Sequence, residues 1–301
     1  MKALITGVQG FTGRYLAAEL SQAGYEVHGL AQSPSGRAIP GVHAVHAGDL
    51  ADLAALTHIM ETVRPDIVVH LAAIAFVAHG DVSAIYSTNL MGSRNVLDAL
   101  VRAKVTPRAV LIASSANVYG NATGGMLSEA TLPAPANDYA VSKLAMEFMA
   151  NLFQDKLPLI VTRPFNYTGV GQTENFLLPK IVAHVRKKAP VIELGNLDVA
   201  RDFSDVRTVV QCYRRLLEKP EAIGGTFNVC SGKAFTLQEV LDMVRSISGH
   251  DFEVRVNPAF VRANEVKMLL GDRAKLVSMI GPVDDIPLAD TLRWMIESPE
   301  Q

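Results

Sequence analysis

Two short stretches hold residues able to do chemistry together. Residues 113–120 read ASSANVYG, which closes the apolar run RAVLIASS with two adjacent serines, and residues 139–143 read YAVSK. Tyr139 and Lys143 stand four apart in a stretch of helical periodicity, so they share one helix face. A lysine ammonium close to a phenol favours the phenolate, and the pair predicts a Tyr139 pKa lowered from about 10 toward working pH. Such a tyrosine passes a proton to or from an alcohol or sugar oxygen. Ser115, at the carboxyl end of a predicted strand, is placed to hydrogen-bond the same oxygen. A surface i,i+4 pair is the plain reading of any isolated YxxxK, so the elements upstream decide.

The first of these is TGVQGFTG, which sets Gly7, Gly10 and Gly13 between the strand KALIT and a helix starting near Thr12. Gly7 permits a tight turn, Gly10 lets a pyrophosphate approach the backbone, and Gly13 lets helix and strand pack closely. The helix N-terminus, with Phe11 and Thr12, then faces the phosphates with free N–H groups. An NAD site usually carries a carboxylate about twenty residues further on for the ribose 2′-hydroxyl. Here the second strand runs into HGLAQSPSGR, with no acid between Glu26 and Asp49. Gln32, Ser33, Ser35 and Arg37 are the candidate contacts there, and the stretch favours NADP(H) over NAD(H). Asp49-Leu50 follows the third strand and reads either as an adenine contact or, for Asp49, as a helix cap.

Composition narrows the classes. The 301 residues are about half apolar and a fifth charged, as in a soluble globule with a sizeable core. A net charge of −2 gives no electrostatic attraction to nucleic acid or to an anionic membrane. Cys212 and Cys230 belong to no CxxC pair and no zinc-type cluster, so they read as buried thiols in a reducing compartment and no metal is expected. The start, MKALITGVQG, breaks too soon into glycines for a signal peptide, and no run approaches the roughly eighteen apolar residues of a membrane span. The expectation is a cytoplasmic protein.

Over the first 165 residues short β-rich runs alternate with helical stretches. The strands are KALIT, YEVHGL, VHAVHA, DIVVHLAA, AVLIAS and LIVTR; the helices lie at 12–23, 52–62, 84–103 and 138–154. This alternation predicts an α/β fold, a doubly wound parallel sheet of Rossmann type. Beyond Pro164, FNYTGVGQTEN and GNLDVARDF read as long turn-rich loops. A helix at about 206–218 and the run TFNVCS return to the main sheet, and the remainder mixes helices with one short strand, FEVRV. The expected plan is a dinucleotide-binding domain (1–165 plus about 206–228) under a smaller, discontinuous substrate lobe (about 166–205 plus 229–301).

Together TGVQGFTG, Asp49-Leu50, HLAA at 70–73, NLMGSRNVL at 89–97, ASSANVYG and YAVSK resemble the extended short-chain dehydrogenase/reductase family. The resemblance implies Ser115 as the active-site hydroxyl, Tyr139 as acid/base, and Lys143 bridging tyrosine and nicotinamide ribose. It also implies Leu71, Ala72 and Ala73 at the cofactor, with Asn89 either near the cofactor pocket or a structural cap. RPFNYTGVGQ, LGNLDVARDFSDVR, FNVCSG and VRANEVKMLLGD are similar to the GDP-mannose branch of dehydratases and reductases. On that match Arg201 and Arg262 suit a diphosphate through paired N–H donors. Asn166 would meet the diphosphate region and Glu265 the nucleoside. A local Arg201–Asp202 salt bridge and a solvated Glu265 are the rival readings, and MIGPVDDIPL departs from the ending usual in this branch.

Family sugar dehydratases carry carboxylates just after the active-site hydroxyl. This chain has Ala116-Asn117 there, and neither residue exchanges a proton near neutral pH. Dehydration is disfavoured, and Asn117 is left as a substrate contact. The reading is NADPH-dependent reduction of a GDP-4-keto-6-deoxy-D-mannose to GDP-D-rhamnose. An NDP-sugar 4-epimerase, which uses the same residues, is the alternative, ahead of a 4,6-dehydratase or a cofactor-sensing protein. The helices at 84–103 and 138–154 have the length to pair across a two-fold axis, giving a homodimer by analogy with the family.

Overall fold

The computed structural model describes residues 1–34, 36–75, 80–120, 125–261 and 266–299. Its chain runs β1 (Lys2–Thr6), α1 (Phe11–Gln22), β2 (Glu26–Ala31), β3 (Val42–Ala47), α2 (Leu53–Val63) and β4 (Ile67–His70). Then come α3 (Val82–Tyr86), a π-helical stretch (Ser87–Gly92) continuous with α4 (Ser93–Arg102), β5 (Ala109–Ala113), α5 (Asp138–Asn151) and β6 (Leu159–Pro164). The second half adds β7 (Asn166–Thr168), α6 (Leu177–Arg186), β8 (Val191–Leu194), β9 (Ala200–Asp205), α7 (Val206–Leu217) and β10 (Thr226–Val229). It closes with β11 (Ala234–Thr236), α8 (Leu237–Ser248), β12 (Glu253–Val256), β13 (Met268–Leu269), α9 (Ala274–Ile280) and α10 (Leu288–Glu297).

Seven parallel strands form the main sheet in the order β10-β6-β5-β4-β1-β2-β3. Both faces are covered, which is why its strands read as unbroken apolar runs. Ala3 and Ile5 of β1 pack toward α1 and α7, while Leu4 packs with Leu56 and Met60 of α2 and Leu97 of α4. Strand order reverses between β1 and β4, and in such sheets ligands bind beyond the carboxyl ends of the strands at that switch point. The doubly wound α/β sheet is the one the alternation predicts.

The second half differs from expectation. Ala200–Asp205, read as loop, is strand β9, flanked by β7, β11 and β13, so the region after 229 holds three short strands rather than one. The run ARDFSD has no period-2 apolar pattern, because Asp202 and Asp205 are buried and held by tertiary hydrogen bonds. A separate apolar cluster, with Ile181 of α6, Ile192 of β8, Val240 of α8 and Leu292 of α10, supports this smaller sheet system.

Candidate active site

Sterics around the glycine loop match a dinucleotide cradle. Gly7 has φ +70°, and a Cβ there would lie 2.9 Å from the backbone of Ala72 in the loop after β4. At Gly13 a Cβ would lie 2.3 Å from the Gly7 carbonyl, so only glycine lets α1 seat on the turn. No side chain caps α1 at Gly10, which leaves the first-turn N–H groups to an external acceptor such as a pyrophosphate. The residues present therefore fit a bound dinucleotide. Phe11 stacks on Tyr167 (centroids 6.1 Å, interplanar 14°), and the Thr12 hydroxyl lies 2.8 Å from the Tyr167 hydroxyl. Sequence reasoning missed Tyr167, since nothing in its local pattern ties it to a loop some 155 residues upstream.

At the second-strand end Gln32, Ser33 and Arg37 are exposed, and Ser35 lies outside the described residues. The Gln32 amide donates to Asp49 (2.8 Å), whose other oxygen accepts from Ala51 N–H (2.8 Å). The helix-cap reading of Asp49 is thereby corrected: Asp52 caps α2 through Ala55 N–H. Beside it, the Leu50 carbonyl accepts from Asn95. Asn89 is not a cap either. Fully buried in the π-helical stretch, its side chain exchanges hydrogen bonds with the backbone of Ile74 (2.8 and 3.1 Å) and so braces the Leu71–Ala73 loop.

Ser115, Tyr139 and Lys143 come together at the carboxyl ends of β4 and β5. Ser115 starts a short 3-10 turn, its Oγ accepting from Asn117 N–H (3.1 Å), and its hydroxyl sits beside Tyr139, where it favours the phenolate. Asn137 caps α5 through Ala140 N–H and fixes where that helix, and so Tyr139, begins. Lys143 Nζ donates to the Ala113 carbonyl at 2.8 Å. One expectation needs correcting. The Tyr139 pKa is not lowered but pushed up to about 12, because burial disfavours the phenolate more than the Ser115 hydrogen bond favours it. Burial likewise pulls Lys143 down to about 8, against the charge of Glu147. Tyr139 at neutral pH is a neutral phenol, ready to donate a proton.

Glu147 lies one turn beyond Lys143 and makes a bidentate pair with Arg163 of β6 (3.0 and 2.6 Å), both side chains about nine-tenths buried. Arg163 also donates to the Tyr119 hydroxyl (3.0 Å), which donates to Asn228 (2.7 Å). These partners come from four distant segments and were not foreseen.

Asn166 opens β7, opposite Phe203 of β9 and two positions along from Arg201. Among the described residues the buried Asn166 Nδ2 has no hydrogen-bond partner. Arg201 donates to the carbonyls of Ala200 and Lys267. Asp202 is engaged by Ser231 and the Gly232 N–H, so a local Arg201–Asp202 bridge does not account for it. Arg262 and Glu265 lie outside the described residues. Among the described residues no group of three or more His, Cys, Asp or Glu could hold a metal ion.

A parallel sheet with a glycine turn at its switch point and a serine–tyrosine–lysine set beside it defines an extended short-chain dehydrogenase/reductase. Within that class the chain belongs to the GDP-mannose 4,6-dehydratase family, whose model matches residues 4–295. It is 34% identical over 284 residues to GDP-6-deoxy-D-talose 4-dehydrogenase of Aggregatibacter actinomycetemcomitans, covering 93% of this chain and 92% of the relative. Over 306 residues it is 32% identical to GDP-6-deoxy-D-mannose reductase of Pseudomonas aeruginosa, covering 98% and 96%. The structure of RMD from Pseudomonas aeruginosa complexed with NADPH superposes with a TM-score of 0.85 at 30% identity, covering 98% of this chain and 97% of that one. A candidate epimerase from Burkholderia cenocepacia J2315 gives 0.92 at 50% identity with the same coverage.

Proposed function

We propose that the protein is an NADPH-dependent reductase of the C4 keto group of GDP-4-keto-6-deoxy-D-mannose, forming GDP-D-rhamnose. The observation that carries this is the buried Ser115–Tyr139 pair, a neutral phenol poised beside a hydroxyl, followed by Ala116-Asn117 where a dehydratase needs carboxylates. The comparisons support the same reading: the reductase and dehydrogenase relatives are 32% and 34% identical, whereas a GDP-mannose 4,6-dehydratase of Vibrio cholerae is 27% identical. NADPH in the Pseudomonas structure, together with the lack of any acid within HGLAQSPSGR, supports NADP(H) over NAD(H).

The cofactor, when bound in the cradle of Gly7, Gly10, Thr12 and Gly13, supplies hydride for the C4 carbon. Ser115 holds the C4 oxygen, and Tyr139 donates its phenolic proton there as negative charge develops. Lys143, which donates to the Ala113 carbonyl, would help hold the nicotinamide ribose and would stabilise the phenolate that Tyr139 becomes. Asn166, Arg201 and Arg262 bind the diphosphate, Asn117 contacts the sugar, and Glu265 meets the nucleoside. In this reading residues 1–165 with about 206–228 bind the cofactor, and the remainder binds the nucleotide sugar.

The talose relative favours one second reading, the C4 epimer GDP-6-deoxy-D-talose as the product. The enzyme acts as a cytoplasmic homodimer. Among the described residues no helix is long and apolar enough to cross a membrane, and α5 leaves Val141 and Phe148, with Leu152 just past its end, exposed for a partner.

The test is loss of NADPH absorbance on adding freshly made GDP-4-keto-6-deoxy-D-mannose, with NADH in parallel and Tyr139→Phe as control. Oxidation that Tyr139→Phe reduces at least 100-fold is expected, and NMR of the product then reads the C4 configuration. No oxidation with either nucleotide refutes the reductase.

A further inference from the structure

A chain of buried polar groups runs beneath the glycine loop and ends on the catalytic helix. Thr6 closes β1, and its hydroxyl oxygen accepts the N–H groups of Leu71 (3.2 Å) and Ala72 (3.1 Å) while lying 2.7 Å from His70 Nδ1. His70 Nε2 lies 2.8 Å from Ser93 Oγ, which donates to the Asn89 carbonyl at 2.6 Å. The Asn89 side-chain amide donates to Ser142 Oγ (3.1 Å), and Ser142 donates to the Tyr139 carbonyl (2.7 Å). Thr6, His70, Asn89, Ser93 and Ser142 are each 2% exposed or less, so water completes none of these bonds.

The proton positions along this chain follow from counting donors. Thr6 Oγ1 already accepts two N–H groups, so its own hydrogen points at His70 Nδ1, which must be bare. Ser93 spends its hydrogen on the Asn89 carbonyl, so His70 Nε2 must carry the proton. The opposite tautomer sets donor against hydrogen at Thr6 and leaves lone pair against lone pair at Ser93. An imidazolium meets the same clash at Thr6, and burial together with the nearby Lys143 charge pushes the His70 pKa down to about 3. Both ends of the ring therefore demand one state.

We infer that His70, held as the neutral Nε2–H tautomer, is a positioning residue that ties the cofactor turn to the catalytic helix through Ser93, Asn89 and Ser142. The inference deepens the reading of Ser115, Tyr139 and Lys143 as the catalytic set and rests on it. At one end the chain fixes the loop against which Gly7 packs, where a Cβ would meet Ala72. At the other it fixes the backbone of the residue that donates the proton. Its middle links, Asn89 and Ser93, sit in and just after the π-helical stretch, a departure from α geometry frequent at functional sites. Reaction rates respond steeply to sub-ångström misplacement of a reacting group, so the chain acts on turnover more than on binding.

The ring itself tests this. His70→Leu keeps apolar bulk but no donor, whereas His70→Gln restores an N–H near the Nε2 position. His70→Leu is expected to lower kcat about 10-fold or more with KM for the sugar nucleotide changed less than about 3-fold. His70→Gln should recover at least a third of the wild-type kcat. A residue that merely filled space would show the two variants losing kcat alike, and that result overturns the inference. An independent readout is 15N NMR of the imidazole, which should report a protonated Nε2 and a bare Nδ1 with no titration across the stable pH range. A protonated Nδ1, or a titration near neutrality, overturns it equally. Wild-type protein that oxidises no NADPH would sink the proposed activity instead, and the NMR result would still decide the tautomer.

Discussion

Removing the carboxylate beneath Lys143 perturbs stability and catalysis by separate routes. Glu147 and Arg163 form two hydrogen bonds of 3.0 and 2.6 Å, and each side chain is only 9% exposed. Deleting one partner of such a buried pair leaves the other charge uncompensated, at a cost of about 3–5 kcal/mol. Glu147→Leu should therefore lower the urea-unfolding free energy by that amount, a large share of the roughly 5–15 kcal/mol typical of folded proteins. Glu147→Gln keeps a neutral acceptor for Arg163 and should cost less. Replacing both partners, Glu147→Leu with Arg163→Met, should recover most of the loss, because the orphaned guanidinium goes with it. The catalytic route is separate. Among the described residues Glu147 is the one charge that raises the Lys143 pKa against burial, so Glu147→Gln should move the alkaline limb of the kcat/KM profile to lower pH. A Glu147→Leu cost under about 1 kcal/mol, together with an unmoved limb, would refute the reasoning.

Two further outcomes are expected. Reduction should fall above pH about 8, because Lys143, held there by burial, loses its charge while the Tyr139 phenol stays protonated to about 12. The charged lysine is the form present below that pH, so activity is retained on the acid side of the limb, and Lys143→Arg should carry the limb beyond the measurable range. A limb unchanged in Lys143→Arg would assign the titration elsewhere. Light scattering should give the mass of two chains for the wild type and one for Phe148→Glu, since Phe148 is 66% exposed on an apolar stripe of α5. A wild-type mass of one chain would remove the dimer.

Much of the fold, and the grouping of the candidate catalytic residues, was legible from local pattern. Parallel strands buried on both faces must be continuous apolar runs, and the glycine turn needs Gly7 and Gly13 because a Cβ cannot be accommodated there. The i,i+4 spacing placed Tyr139 and Lys143 on one face, and the sheet order brought Ser115 beside them. What the pattern could not carry was anything that depends on partners distant in the chain. Strand β9 escaped notice because burial of its acids depends on distant partners, among them Ser231, Gly232 and Gly271 for Asp202 and Thr291 for Asp205. The direction of the Tyr139 pKa was misread because spacing reports the proximity of Lys143 but not burial, nor that Nζ turns to the Ala113 carbonyl. The Thr6–His70–Ser93–Asn89–Ser142 chain spans four separate segments and holds one tautomer only because all its acceptors are committed at once. Sequence by itself determined which groups can exchange a proton and bind a phosphate. The tertiary structure decided their charge states, because the desolvation and hydrogen bonds that set a pKa exist only once distant segments have packed.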